Sequence, residues 1–123
     1  MRSFDSRDSS VTAPKPYVGL FGDNSVAVLD TATKQVMKTI PIPTGPHRLV
    51  MTPDGKRVYA SSDGDPSVSV IDTSTDEVIA CIDVGSMPHG LAITPDGRRV
   101  LVAGFGSNQV EAIDTRRCKV QVP

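Results

Sequence analysis

The chain has 123 residues, with 13 basic against 14 acidic side chains and a net charge of −1. That is one small domain's length, and it excludes a generally basic, phosphate-seeking surface, so no nucleic-acid partner is expected. Ten Gly and ten Pro predict a turn-rich chain, and no apolar run approaches the roughly 18 residues of a transmembrane segment. From the N-terminus, residues 1–15 mix Arg2, Asp5, Arg7 and Asp8 with serines. Too little of this stretch is apolar to offset the entropy of ordering it or to form the core of a signal peptide. It is expected to be a flexible polar lead-in without an export signal.

From residue 16 the sequence repeats. Residues 16–57 and 58–99 align without a gap at a period of 42, with 19 of the 42 positions identical, and a third copy runs over 100–123. Tyr17 corresponds to Tyr59, Val26 to Val68 and Val110, Asp30 to Asp72 and Asp114, and Pro46-His47 to Pro88-His89. Thr52-Pro53-Asp54-Gly55 returns as Thr94-Pro95-Asp96-Gly97. The expected organisation is therefore a lead-in followed by a repeat domain over 16–123.

Inside one period apolar residues alternate with small or polar ones, as at Val68 and Val70 between serines, and period two means strands. Turn signals at 53–55, 64–66, 72–76 and 85–88 divide the period into four strands, near 48–52, 57–61, 67–72 and 77–84. Helical repeats of similar length need apolar residues at i, i+3, i+4 and i+7, a pattern missing here. Four antiparallel strands every 40 to 45 residues is the spacing of a β-propeller blade. The fold class is therefore all-β, an incomplete propeller of about eleven strands, or two and a half blades. A sheet sandwiched between two others must be apolar or compact on both faces, which accounts for Ala27, Ser69 and Ala80. Glu111, in register with Ala27 and Ser69, breaks that rule and suggests a solvent-exposed face on the last sheet or a missing partner.

The runs VAVLDTATKQVMKTIPI with PTGPHRLVMTPDGKRVYAS, and VSVIDTSTDEVIACIDVGSMPHGLAITPDGRRVLVA, resemble the YVTN-type β-propeller repeat of surface-layer and YncE-like proteins. The resemblance covers residues 16–123. The Tyr-Val-Thr-Asn signature stands here as Tyr17-Val18-Gly19 and Tyr59-Ala60-Ser61, and the Trp-Asp repeat propellers are excluded because the chain has no Trp. The resemblance implies an extracytoplasmic or cell-surface setting. It also implies a scaffold that binds protein, polysaccharide or a small ligand, with a propeller enzyme as the alternative: a lactonase-like hydrolase or a redox protein with a metal, haem or quinone-type cofactor.

Propellers typically have four to eight blades, so the sheets at both ends are expected to have a bare face. Three explanations compete: a piece of a longer propeller, a ring closed by further copies, or an open arc. Remaining blades or self-association are the expected cover. Alternating strand direction then sorts the loops onto two ends of the sheets. One end collects His47, His89, Asp23, Asp65, Asn24 and Asn108, and a ligand is expected there. No cofactor is predicted. The one the residues would admit is a metal held by His47 and His89 as neutral imidazole ligands, and the preferred reading is that Pro-His shapes the strand entry. Asp30, Asp72 and Asp114 at strand ends, and Asp54, Gly55, Asp96 and Gly97 in the Pro-Asp-Gly turns, are expected to be turn-formers. The basic residues that follow, Lys56-Arg57 and Arg98-Arg99, are expected to be a solvated rim. Nucleophile-elbow, phosphate-loop and zinc-protease motifs are absent from the sequence, and Cys81 and Cys118 have no metal-ligand spacing.

Overall fold

A computed structural model describes residues 9–11, 15–42, 45–62, 66–84, 88–104, 110–115 and 119–120. The candidate residues Asp65 and Asn108 lie outside the described residues, as do Cys118 and the side chain of His89. The described strands form three antiparallel sheets of four, each in chain order. Blade 1 contains β1 (Ser9–Val11), β2 (Tyr17–Leu20), β3 (Ser25–Leu29) and β4 (Val36–Pro41). Blade 2 contains β5 (Pro46–Met51), β6 (Arg57–Ser62), β7 (Ser67–Asp72) and β8 (Glu77–Asp83). Blade 3 contains β9 (Pro88–Ile93), β10 (Arg99–Gly104), β11 (Val110–Asp114) and β12 (Lys119–Val120). The only helical element among the described residues is the 3-10 turn Phe21–Asp23, and none is long and apolar enough to cross a membrane.

Part of the expected flexible lead-in is a strand. Ser9–Val11 pairs with β2 in the register Ser9↔Gly19, Ser10↔Val18, Val11↔Tyr17. A strand gains its order from ladder hydrogen bonds to a neighbour as well as from its own apolar content, and a composition argument does not see that neighbour.

Period-two patterning places alternate residues on opposite faces, and each face of blade 2 meets a neighbour. Leu49, Val58, Ala60 and Ile71 pack on Tyr17, Val26, Val28 and Ile40 of blade 1. Tyr59, Val68, Val70 and Ile82 pack on Val100, Val102 and Ile113 of blade 3. The first strands of adjacent blades lie against one another, β1 on β5 and β5 on β9, which is how propeller blades meet around an axis.

The array ends asymmetrically. Val26 and Val68 are 0% exposed whereas Val110, one period on, is 68% exposed; Tyr17 and Tyr59 are 0% exposed whereas Leu101 is 37%. The outer face of blade 3 is therefore bare. The far face of blade 1 is not, because Val18, Leu20 and Ala27 are buried in a cluster of their own. Glu111 marks the wrong side. It pairs with Val102, which belongs to the core between blades 2 and 3, so the half-buried Glu111 is on the covered face and the exposed face is the opposite one.

Candidate functional site

The two ends of the sheets carry different chemistry. At the end expected to hold a ligand, His47 lies where the pairing of β5 with β6 shifts register, between Pro46↔Ser62 and Arg48↔Ser61. His89 lies at the matching shift in blade 3, between Gly104↔Pro88 and Ala103↔Gly90. Each histidine is thus the extra residue of a β-bulge at the entry to an innermost strand, a device that re-aims a side chain and bends the strand. The Arg48 amide donates to Ser61 Oγ at 3.0 Å beside the bulge. His47 is half-buried, with its Nε2 atom buried. Asp23 and Asn24 are exposed at the same end of blade 1, where Asn24 adopts a left-handed φ of 50° and its carbonyl accepts the Ile42 amide at 3.0 Å. Asn tolerates that conformation through its short polar side chain. Among the described residues no three His, Cys, Asp or Glu side chains gather where they could hold a metal ion.

At the other end every recurring carboxylate described in detail is engaged in its own turn. Asp54 Oδ1 accepts the Thr52 hydroxyl at 2.6 Å and the Lys56 amide at 3.0 Å. Asp96 Oδ1 accepts the Thr94 hydroxyl at 2.7 Å and the Arg98 amide at 3.0 Å. Gly55 and Gly97 supply the positive φ, 73° and 71°, that the Pro-Asp-Gly turn requires. Asp72 Oδ1 accepts the Ser74 hydroxyl at 2.6 Å and its amide at 2.8 Å, and Asp30 Oδ1 accepts the Ala32 and Thr33 amides at 2.8 and 3.1 Å. Asp114 ends β11 in the same register, half-buried. Hydrogen bonds from Thr52, Ser74 and Thr94, reinforced by nearby backbone amides, hold the Asp54, Asp72 and Asp96 carboxyls below the usual carboxylate range. A carboxyl held ionised in this way is a poor proton donor at neutral pH.

Two kinds of tie secure this end. Within a blade, Thr73 Oγ1 donates to the Gly55 carbonyl and Thr115 Oγ1 to that of Gly97, both at 2.7 Å. Between blades, Arg57 Nη1 donates to the Thr115 carbonyl at 2.7 Å. Lys15 Nζ donates to Asp76 Oδ2 at 2.7 Å, and the Tyr17 hydroxyl donates to Asp76 Oδ1 at 2.5 Å. Burial, then the hydrogen bond to Asp76, push the Tyr17 phenol well above its ordinary value. Between the turns of blades 2 and 3 opens a cleft of about 450 Å³ lined by Lys56, Arg57 and Arg98 together with Asp54 and Asp96. The expected rim residues Lys56, Arg57 and Arg98 and the expected turn-formers Asp54 and Asp96 thus come together in a cleft that the sequence did not make evident. The signal was present, since Lys56 and Arg98 share one repeat position and flank the same groove from adjacent blades.

Three four-stranded sheets packed face to face around a line of first strands define part of a β-propeller. The YNCE-like beta-propeller family matches residues 16–93, more than half of the chain, and the chain belongs to that family. Among solved structures it is similar to Kuenenia stuttgartiensis hydrazine synthase, at 26% identity and a TM-score of 0.83, over 98% of this chain. The chain spans 37% of the length of that structure. No curated protein matches it in sequence.

Proposed function

We propose that the chain supplies blades of a non-enzymatic β-propeller that binds a protein, a polysaccharide or a small ligand through the loop end carrying His47, His89, Asp23, Asp65, Asn24 and Asn108. One observation carries this reading: the carboxylates that recur with the repeat act as turn acceptors at the opposite end, held ionised where a general acid would need a raised pKa. Blades built from one repeat form a scaffold, and its function lives in the loops that vary. Retention of the chain on a panel of immobilised polysaccharides tests this. The double variant Asn24→Ala, His47→Ala is expected to weaken retention about fivefold, the equivalent of roughly 1 kcal/mol, while Lys56→Ala at the far end leaves it unchanged. Loss confined to Lys56→Ala moves the binding surface to the cleft.

The likeness to hydrazine synthase favours a second reading, in which these blades belong to a larger enzyme; the resemblance to propeller repeats would make that enzyme a lactonase-like hydrolase or a redox protein with a metal, haem or quinone-type cofactor. Lactone hydrolysis by the purified chain, or stoichiometric metal lost on His47→Ala with His89→Ala, would establish it over the first.

A further inference from the structure

We infer that the cleft between the Pro-Asp-Gly turns of blades 2 and 3 is a second binding site, one that takes a small hydroxylated anion: a sugar phosphate or a hydroxycarboxylate. It goes beyond the scaffold reading and does not depend on it, since the cleft lies at the opposite end of the sheets from the loops that carry His47. Three cations and two carboxylates line the cleft, with Thr52, Thr115 and Gly97 completing the wall. Small-molecule sites span about 300–1,000 Å³ and are lined mainly by apolar side chains where the ligand is apolar. At about 450 Å³ this cleft has the size for a small molecule, but among the described residues no apolar side chain stands in its wall. Its occupant must be hydrophilic.

One side of the cleft is fixed before any ligand arrives. Arg57 is half-buried, and its Nη1 donates to the Thr115 carbonyl at 2.7 Å across the interface between the blades. Thr115 Oγ1 in turn donates to the Gly97 carbonyl at 2.7 Å. Lys56 and Arg98, one from each turn, are exposed, with backbone amides held on Asp54 and Asp96 at 3.0 Å. The turns thus fix where both side chains start, and among the described residues neither side chain is hydrogen-bonded. Binding therefore has few groups left to order, which keeps its entropic cost low.

The lining also dictates what the ligand carries. Lys56 and Arg98 supply donors that suit an oxyanion, the Arg98 fork bidentately. Asp54 and Asp96 take both of their turn bonds on Oδ1, which leaves each Oδ2 to accept a hydroxyl. An occupant thus needs an acid group for the cations and hydroxyls for the carboxylates. An anion without hydroxyls would meet Asp54 and Asp96 only as like charges, and an uncharged sugar would leave the cations unmatched. The pattern belongs to this pair of turns: one period before Asp54 and Lys56 stand Thr12 and Pro14, so the sequence of blade 1 does not repeat it.

Heteronuclear NMR titration of the 123-residue chain with glucose phosphate, gluconate, glucose and inorganic phosphate is the test. Glucose phosphate or gluconate is expected to move the Lys56, Gly97 and Arg98 amides saturably, and whichever binds tighter identifies the acid group that the cleft takes. Glucose should leave these amides in place. Inorganic phosphate, which brings no sugar hydroxyls to the carboxylates, should bind at least about fivefold more weakly than glucose phosphate. Arg98→Ala should weaken binding of the anion at least about tenfold without moving the urea midpoint. Lys38→Ala, which removes the same charge from an exposed position on blade 1, should leave the affinity unchanged. Added salt should weaken binding, because the cations are exposed. Should Arg98→Ala not fold, Arg98→Gln decides in its place. The inference fails if neither anion moves these amides, if glucose binds as tightly, or if affinity is untouched in the folded Arg98 variant. Shifts confined to the Asn24 and His47 amides sink it as well. Polysaccharide retention at the loop end moves none of the cleft amides, so this inference and the functional reading fail separately.

Discussion

Asp76 is where blades 1 and 2 meet through a single side chain, and it shows why some residue roles are readable from sequence and others are not. The turn aspartates could be assigned because each sits between a strand end and a Thr, Ser or Gly within three residues, so donor and acceptor are both local. Asp76 takes its donors from Lys15 and Tyr17, 61 and 59 residues away, and the repeat itself hides it, since its counterpart is Lys34. Asp76→Asn keeps the tolerance for a left-handed backbone but removes the charge and one of the two acceptor oxygens used by Lys15 and Tyr17, and it should cost about 1 kcal/mol. Asp76→Ala removes both acceptors and adds backbone strain, and it should cost about 1–3 kcal/mol in urea unfolding. The Lys15 pair is partly exposed, so most of that loss belongs to the buried Tyr17 hydroxyl. The turn carboxyls also set the acid response. Asp54, Asp72 and Asp96 titrate lower in the folded chain than unfolded. The stability they contribute is complete above the unfolded value of about 4 and is lost as pH falls through the folded values. Thermal midpoints should be flat from neutrality to about pH 5 and fall below it. Thr52→Val with Thr94→Val, which removes the hydroxyl donors, should flatten that fall, and an unaltered acid profile would refute the assignment.

At the scale of the element, the strand limits of blade 2 were readable to within two residues because Gly, Pro and Asp punctuate every turn of the repeat, whereas β1 fell inside the expected lead-in. The register shifts at His47 and His89 were not, because a bulge depends on how two strands pair and leaves no residue-type signal in either one. The turns are also more than connections. Gly97 faces Pro53 of the preceding blade, and a Cβ built on it would sit 3.0 Å from Pro53 Cδ, so the two Pro-Asp-Gly turns stack across the interface. Gly97→Ala therefore combines the left-handed penalty of about 1 kcal/mol with displacement of a rigid ring. In a Pro53→Ala background the same substitution carries the backbone penalty with the ring contact removed. Comparing the loss from Gly97→Ala in the two backgrounds isolates the stacking, and equal losses would show that it contributes nothing. Thr73→Val, which frees the Gly55 carbonyl, should cost about 1 kcal/mol.

For the whole molecule, stability should follow the count of covered faces. Blades in such arrays gain little from within, because one twisted sheet cannot bury either of its own faces, and most of their stability comes from interfaces with neighbours. Blade 2 is covered on both sides, by the cores it shares with blade 1 and with blade 3. Blade 3 is covered on one side, with Val110 and Leu101 exposed on the other. The period of 42 and the count of repeats made an incomplete array readable in the sequence. They did not reveal which end is bare, because that depends on how alternate residues fall relative to the neighbouring sheet, and Glu111 pointed to the covered side. Full burial of one valine is worth about 1.5–3 kcal/mol, and 1.4 kcal/mol corresponds to a factor of ten in an opening equilibrium. Amides must be compared at equal positions within the ladder, since edge strands exchange fast for reasons unrelated to packing. Val68 and Val110 share one repeat position in the third strand, and β6 and β10 are both flanked within their sheets. Native-state hydrogen exchange should therefore find the β6 and β7 amides slower than their β10 and β11 counterparts by at least about tenfold. If the two sets exchange together across a denaturant series, the three sheets open as one unit and the nearest-neighbour account of this array is wrong.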